Sequence, residues 1–370
     1  MGSRPGHRDH RPVRELHRRR AARLAGSHTG EVVNAPGVRS SSAATLLSVR
    51  NLRTEIDTEN GTVTAADGVS LDLHGDEVLA VVGESGCGKT MLALSILGLL
   101  PRRTGRIVDG QVLFRGEDLT QATPARLREI RGAEIAMIFQ DALTGLHPLQ
   151  RVGDQIVEMI RAHEPARRDA ARRRAVDLLD LVGIPDPDRR AESFPHELSG
   201  GMRQRVMIAM AVALDPAVLI ADEPTTALDV TVQAQVLETL ARISGDLNGS
   251  ILLITHDFGV VAGFADRVAV MYAGRLVEQG PVAEVYGRPR HPYTAGLLAS
   301  MPRIDDVPGR LPRIAGTPPN LVSPPPGCRF APRCSLAGDI CREVPPETRL
   351  WPPDGGVTVA CHHAEQVGAG

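Results

Sequence analysis

The hydrophobic positions fall into three kinds of pattern along the chain. Leu47 and Val49, and then Val69, Leu71 and Leu73, alternate with polar neighbours as half-buried strands do. Residues 78–82, Val-Leu-Ala-Val-Val, are instead an unbroken apolar run, the pattern of a central strand covered on both faces. Similar runs at 112–114, 135–139, 218–221, 251–254 and 268–271 predict further strands, the second of these ending at Gln140. Residues 91–100 read as a buried helix closed by Pro101, and residues 230–243 as an amphipathic one. From about 152 to 194 the chain turns Arg- and Asp-rich with helical spacing, as in Ile156, Met159, Ile160 and Ala175, Leu178, Leu179, Val182. Strands and helices in alternation predict an α/β fold with a largely parallel sheet, interrupted by a helical subdomain at about 152–212.

Composition narrows the class. The chain has 370 residues, 42% hydrophobic and 23% charged, which allows one large globular domain with a smaller appendage. A formal net charge of -2 and 3% aromatic residues give neither a basic field nor stacking platforms for nucleic acid. The longest apolar stretches, 91–100 and 206–214, are about half of the roughly 18 residues that a spanning helix needs. Residues 1–44 are rich in Arg, with Arg18, Arg19 and Arg20 consecutive, and lack the apolar core of a secretory signal. They are expected to be a disordered tail, with an early start codon or a contact with acidic lipid as the other readings.

Chemistry enters at Gly83-Glu84-Ser85-Gly86-Cys87-Gly88-Lys89-Thr90, which matches G-x-x-x-x-G-K-T between a buried strand and a helix. Glycines let backbone N–H groups converge on phosphate oxygens, Lys89 neutralises the outer phosphates, and the Thr90 hydroxyl can ligate Mg2+. Cys87 lies in this loop near a helix N-terminus, where a thiol pKa can be lowered. The loop by itself does not separate kinases, GTPases and motors. No internal repeat is found, so there is one nucleotide-binding unit.

Leu198-Ser199-Gly200-Gly201-Met202 decides among them, because here the sequence resembles the ATP-binding cassette (ABC) family, whose signature is close to LSGGQ. The strand 218–221 then delivers Asp222 and Glu223 at its exit. Asp222 would hold Mg2+ through water, and Glu223 would polarise the attacking water as general base. The resemblance implies further roles. Gln140 matches the loop glutamine that touches Mg2+, Ala227, Leu228 and Asp229 match the D-loop, and His256 matches the switch histidine near the γ-phosphate. Where the family stacks adenine on an aromatic residue, this sequence has Ile56, so aliphatic contact is expected instead. In the family two cassettes pair head to tail, so ATP held by one chain is covered by the signature of the other.

Past Pro281 the composition shifts to Pro, Arg, Gly and four of the five cysteines. The spacing C-x5-C-x6-C for Cys328, Cys334 and Cys341, with a distant Cys361, leaves an iron-sulfur cluster, zinc and free thiols open. Residues 290–294 (Arg-His-Pro-Tyr-Thr), 316–319 (Gly-Thr-Pro-Pro), 327–334 (Gly-Cys-Arg-Phe-Ala-Pro-Arg-Cys), 272–274 and 223–231 resemble the ATPases of oligopeptide/dipeptide ABC importers. That resemblance covers about residues 45–365. It implies a P-loop ABC nucleotide-binding domain at 45–285, with a RecA-like core, an antiparallel β subdomain and the helical insertion, followed by a Cys-rich region at 286–370.

It also implies a [4Fe-4S] cluster on the four cysteines. The expected partners are a second ATPase, two transmembrane permeases and an extracytoplasmic peptide-binding protein, with the chain peripheral on the cytoplasmic face of the plasma membrane and no nucleic acid bound. Nickel or another small solute is the nearest alternative cargo. A soluble ABC-type ATPase of DNA repair or translation is the rival class.

Overall fold

The computed structural model describes residues 44–141, 145–226, 228–247, 249–301, 314–353 and 355–367. The tail expected at 1–44 therefore lies, except for Ala44, outside the described residues.

Strands β1 (Thr45–Thr58) and β2 (Gly61–His74) form an antiparallel hairpin that continues through β4 (Gly105–Phe114) and the short β5 (Glu117–Asp118), in the order β2-β1-β4-β5. The five alternating residues read from the sequence lie in its cross-strand pairs, Leu47 opposite Leu73 and Val49 opposite Leu71, while Val69 stands opposite Leu52, and all six are buried. Both strands run well beyond the apolar positions that announced them. The extra residues mix polar and apolar side chains without strict alternation, and some pair through side chains, as Thr62 Oγ1 does in donating to Asp57 Oδ1 at 2.8 Å, so periodicity could not find them.

The continuous apolar runs become the centre of the second sheet. β3 (Val78–Val82), β6 (Ile135–Ile138), β7 (Val218–Asp222), β8 (Ser250–Thr255) and β9 (Arg267–Tyr272) are parallel in the order β9-β3-β8-β7-β6. Leu79, Val81, Ile220, Leu252 and Ile254 face the hairpin sheet and the helix Lys89–Ile96. Val78, Ala80, Ala221, Ile251 and Leu253 face the opposite layer, which includes the inserted helices. Each fully buried Val, Leu or Ile contributes about 1.5–3 kcal/mol, so this two-faced packing fixes where the strands end and hence where the site lies.

The helix after the phosphate loop stops at Ile96 and not at Leu100. Gly98, at φ 61°, donates to Ser95 O, and Leu99 donates to Leu94 O, the paired bonds of a glycine-terminated helix. The stop is therefore the glycine, ahead of Pro101. The inserted region consists of helices Val152–His163, Arg168–Leu181, Pro187–Ala191 and Gly200–Ala211, burying Ile156, Ile160, Ala175, Leu178, Leu179 and Val182 together.

The C-terminal segment is woven into the core. β10 (Arg275–Pro281) pairs antiparallel with β9, β12 (Val357–Val359) with β10, and β11 (Arg349–Trp351) with β12, so the tail adds two strands to the main sheet. Glu278 on β10 accepts the N–H groups of Arg290 (2.6 Å) and His291 (3.1 Å), and burial pushes its carboxyl up to about 7. Burial pushes the His291 imidazole down to about 3, so it is neutral and its Nδ1 accepts the Tyr293 N–H at 3.1 Å, capping helix Pro292–Ala299.

Candidate nucleotide-binding and catalytic site

The phosphate loop leaves β3 and wraps onto the first turn of helix Lys89–Ile96. Two of its glycines are forced by close approach. A Cβ at Gly83 would lie 2.1 Å from Met271 O, and one at Gly88, at φ 109°, would lie 2.0 Å from Ala65 O. Lys89 folds back over the loop, its Nζ donating to Gly83 O at 2.8 Å and Glu84 O at 3.1 Å. Its side chain is only 4% exposed, and Glu223 Oε1 is 3.9 Å away.

β7 ends facing this loop. Thr90 Oγ1 donates to Asp222 Oδ1 at 3.3 Å. Burial, with the charge of Glu223 adding, pushes the Asp222 carboxyl up to about 6 against the opposing hydrogen bond from Thr90 and the charge of Lys89. Asp222 continues the strand inward, whereas Glu223 takes a left-handed turn at φ 45°, which points its carboxylate back over the cleft. There Glu223 Oε2 accepts from Gln140 Nε2 at 3.1 Å and from Thr226 Oγ1 at 2.9 Å, and lies 3.2 Å from His256 Nδ1. Six of the expected residues, Lys89, Thr90, Gln140, Asp222, Glu223 and His256, thus converge on one cleft. Thr226 is a partner that the sequence did not single out.

The signature segment is elsewhere. Ser199 caps helix Gly200–Ala211, its Oγ accepting from Met202 N at 3.3 Å, and Leu198 is buried. Gly200 and Gly201 approach Leu228 and Val232 rather than the loop, and among the described residues no hydrogen bond or ion pair joins 198–202 to 83–90. Asp229 Oδ1 accepts from Val232 N at 3.0 Å, while Ala227 lies outside the described residues. Ile56 stands half-buried on β1, opposite Val63 and Gly105, outside the cluster of six.

Cys87 is buried, and burial raises its thiol pKa despite Lys89 nearby, so the loop cysteine is not the activated thiol its position suggested. Among the described residues no group of three or more His, Cys, Asp or Glu has an arrangement that could hold a metal ion. The four tail thiols are nevertheless neighbours. All are free, Cys328 N donates to Cys341 O at 2.8 Å, and the Cys361 thiol is pushed up to about 12 by burial and, after it, by Cys328, Cys334 and Cys341. Four thiols are the donor chemistry of a thiolate-bound group, but they are not drawn together as its ligands.

A glycine loop facing an Asp-Glu pair, a glutamine and a histidine is the arrangement that the resemblance to the ABC family leads one to expect. The family model for ABC transporters matches residues 66–226. The dipeptide transport ATP-binding protein DppD of Bacillus subtilis is 52% identical over 81% of this chain and 90% of its own length. The oligopeptide transport ATP-binding protein OppD of the same organism is 52% identical over 81% and 84%. The solved dimeric ABC transporter cassette MJ0796 superposes with a TM-score of 0.57 at 25% identity, covering 64% of this chain and 99% of that one. The chain belongs to the ABC transporter ATP-binding family and is an ATPase of that class. Residues 277–341 match the oligopeptide/dipeptide transporter C-terminal region, which places it in the branch that carries this tail.

Proposed function

We propose that this chain binds and hydrolyses ATP to energise the import of di- or oligopeptides. The observation that carries the reading is the convergence of Lys89, Thr90, Asp222, Gln140, Glu223 and His256 around one phosphate loop. The named activities of DppD and OppD supply the cargo class.

Residues 83–90 take the phosphates, and nothing lies within 4 Å of where a Cβ of Gly86 would stand. Thr90, Asp222 and Gln140 would hold Mg2+, which neutralises phosphate charge when bound. Glu223 orients and deprotonates the attacking water, and His256, exposed at the cleft, answers the charge that develops on the γ-phosphate. Ile56 would meet the adenine. The separation of Leu198, Ser199, Gly200, Gly201 and Met202 from the loop supports a site completed by the signature of a second ATPase subunit, with Leu228 and Asp229 at the join.

Two transmembrane permeases and an extracytoplasmic peptide-binding protein complete the assembly, and the chain is peripheral on the cytoplasmic face of the plasma membrane. No helix among the described residues is long and apolar enough to cross a membrane. Permease docking is supported by an apolar cavity of about 300 Å3 that includes Leu99, Phe139, Met159, Met207 and Met210, with Phe139 42% exposed. Cys328, Cys334, Cys341 and Cys361 would hold a [4Fe-4S] cluster, or zinc as the alternative, which would lock the tail onto the core.

Co-expression tests the assembly. The chain should co-purify with two membrane subunits and a second ATPase, and full-rate hydrolysis by the isolated chain with no membrane partner would contradict it. Iron and acid-labile sulfide in anaerobically purified chain would support the cluster, and zinc in their place would identify the alternative.

A further inference from the structure

The cysteine-bearing tail reaches the phosphate loop directly. Arg333, whose side chain is 4% exposed, grips Glu84 with both arms of its guanidinium, Nη1 to Oε2 at 2.7 Å and Nη2 to Oε1 at 3.0 Å. The same guanidinium lies 5.8 Å from the ring centre of Tyr272 and 5.9 Å from that of Phe330, and its Nε donates to Ala315 O at 2.9 Å. The backbone of Glu84 is held as well, its N–H donating to the hydroxyl of the buried Tyr293 at 2.9 Å. One loop residue thus commits its side chain and its amide to residues 249 and 209 positions further along the chain.

Two physical needs are met by this grip. Amides that converge on phosphate must have fixed peptide planes, and the loop contains two glycines at positive φ, Gly86 and Gly88, that do not fix their own. A carboxylate in a loop built to receive phosphate also repels the ligand unless its charge is cancelled, and the bidentate pair with the enclosed Arg333 cancels it while Glu84 stays half-buried. The anchor is itself anchored. Arg329, next to Cys328 as Arg333 is next to Cys334, donates to Ala273 O and pairs with Asp67, which ties both ends of the segment 328–334 to the core.

We propose that Arg333 is a positioning residue for ATP binding: acting through Glu84, it holds the phosphate loop in its binding shape and removes a repelling charge, which makes the cysteine-bearing segment part of the nucleotide site.

This rests on residues 83–90 binding ATP, and the test keeps the two apart. Mg2+-ATP binding is titrated on the full chain for wild type, Arg333→Met, Arg333→Lys, Glu84→Gln and the double variant Glu84→Gln/Arg333→Met, with turnover at saturating ATP measured in the assembled transporter. Arg333→Met should weaken ATP binding by about tenfold or more, the size of losing a buried charge-assisted pair, while saturated turnover stays within about twofold. Arg333→Lys should recover part of the affinity, and adding Glu84→Gln to Arg333→Met should recover more, because the uncancelled carboxylate is gone. A merely structural arginine would give no such rescue. Affinity of Arg333→Met and Arg333→Lys within about twofold of wild type, or a double variant worse than Arg333→Met, overturns the proposal. Wild-type chain that binds no ATP overturns the reading of the loop instead.

Discussion

Glu223 Oε1 lies 3.9 Å from Lys89 Nζ, across the cleft between the exit of β7 and the phosphate loop. Each is the other's counter-charge while no phosphate is present, and phosphate would draw Lys89 away and leave Glu223 to the attacking water. Glu223→Gln should therefore keep ATP binding, because the amide fills the same space without opposing the incoming phosphates. Turnover should fall by on the order of a hundredfold or more. Steady-state ATPase with the partner subunits present, alongside a binding titration, measures both, and near-normal turnover would remove Glu223 from the role.

Asp222 makes the nucleotide-free site pH-sensitive. Its carboxyl is raised from 3.8 to about 6, so the folded chain holds that proton more tightly than the unfolded one. The resulting stabilisation is complete below about 3.8 and is lost as pH rises through about 6. Asp222→Asn removes that loss, and without nucleotide the variant should be more stable than wild type at pH 7.5 by on the order of 2 kcal/mol. It should also lose Mg2+-dependent hydrolysis. Urea denaturation at pH 5 and 7.5 checks the sign, and an equal difference at both pH values would refute the assignment.

Gly86 and Gly88 both have positive φ, yet they should respond differently to alanine. Gly86 has nothing within 4 Å of its absent Cβ, so Gly86→Ala meets only the left-handed penalty of roughly 1–2 kcal/mol. At Gly88 the new carbon would collide with Ala65 O, and Gly88→Ala should cost about 2 kcal/mol more as the loop and β2 separate. Chemical denaturation of the two variants makes the comparison, and equal losses would show that the close approach does not exist in solution.

Burial governs Cys87. Maleimide should label it slowly in the folded chain, and ATP should change that rate little, because the thiol is enclosed before nucleotide arrives. Mass-resolved labelling kinetics would show this, and rapid labelling that ATP blocks would restore the activated thiol expected from its position in the loop.

The sequence disclosed what depends on short, ordered patterns. The run 78–82, the glycines after it and the apolar strand ahead of Asp222 and Glu223 each announce a buried strand with chemistry at its exit, and those residues do converge. It did not disclose what depends on contacts between distant segments. Arg333 stands between Pro332 and Cys334, and a lone arginine carries no periodicity to say that it meets Glu84. The outer halves of β1 and β4 are of the same kind, since what joins them is cross-strand pairing, Arg106 bridging Glu55 and Asp57 among it, and that leaves no alternating pattern along either strand. Ser199 and the glycines after it were legible as a motif, but their distance from the loop is a property of the fold.

The most direct test of the account is ATP hydrolysis by the complete transporter in vesicles, containing this chain, its partner ATPase and the permeases, with and without peptide-loaded binding protein. Peptide should raise ATP turnover several-fold and drive peptide into the compartment that holds the ATP, and both effects should vanish with Glu223→Gln in this chain. Turnover indifferent to peptide, or peptide uptake that survives without ATP, would contradict it.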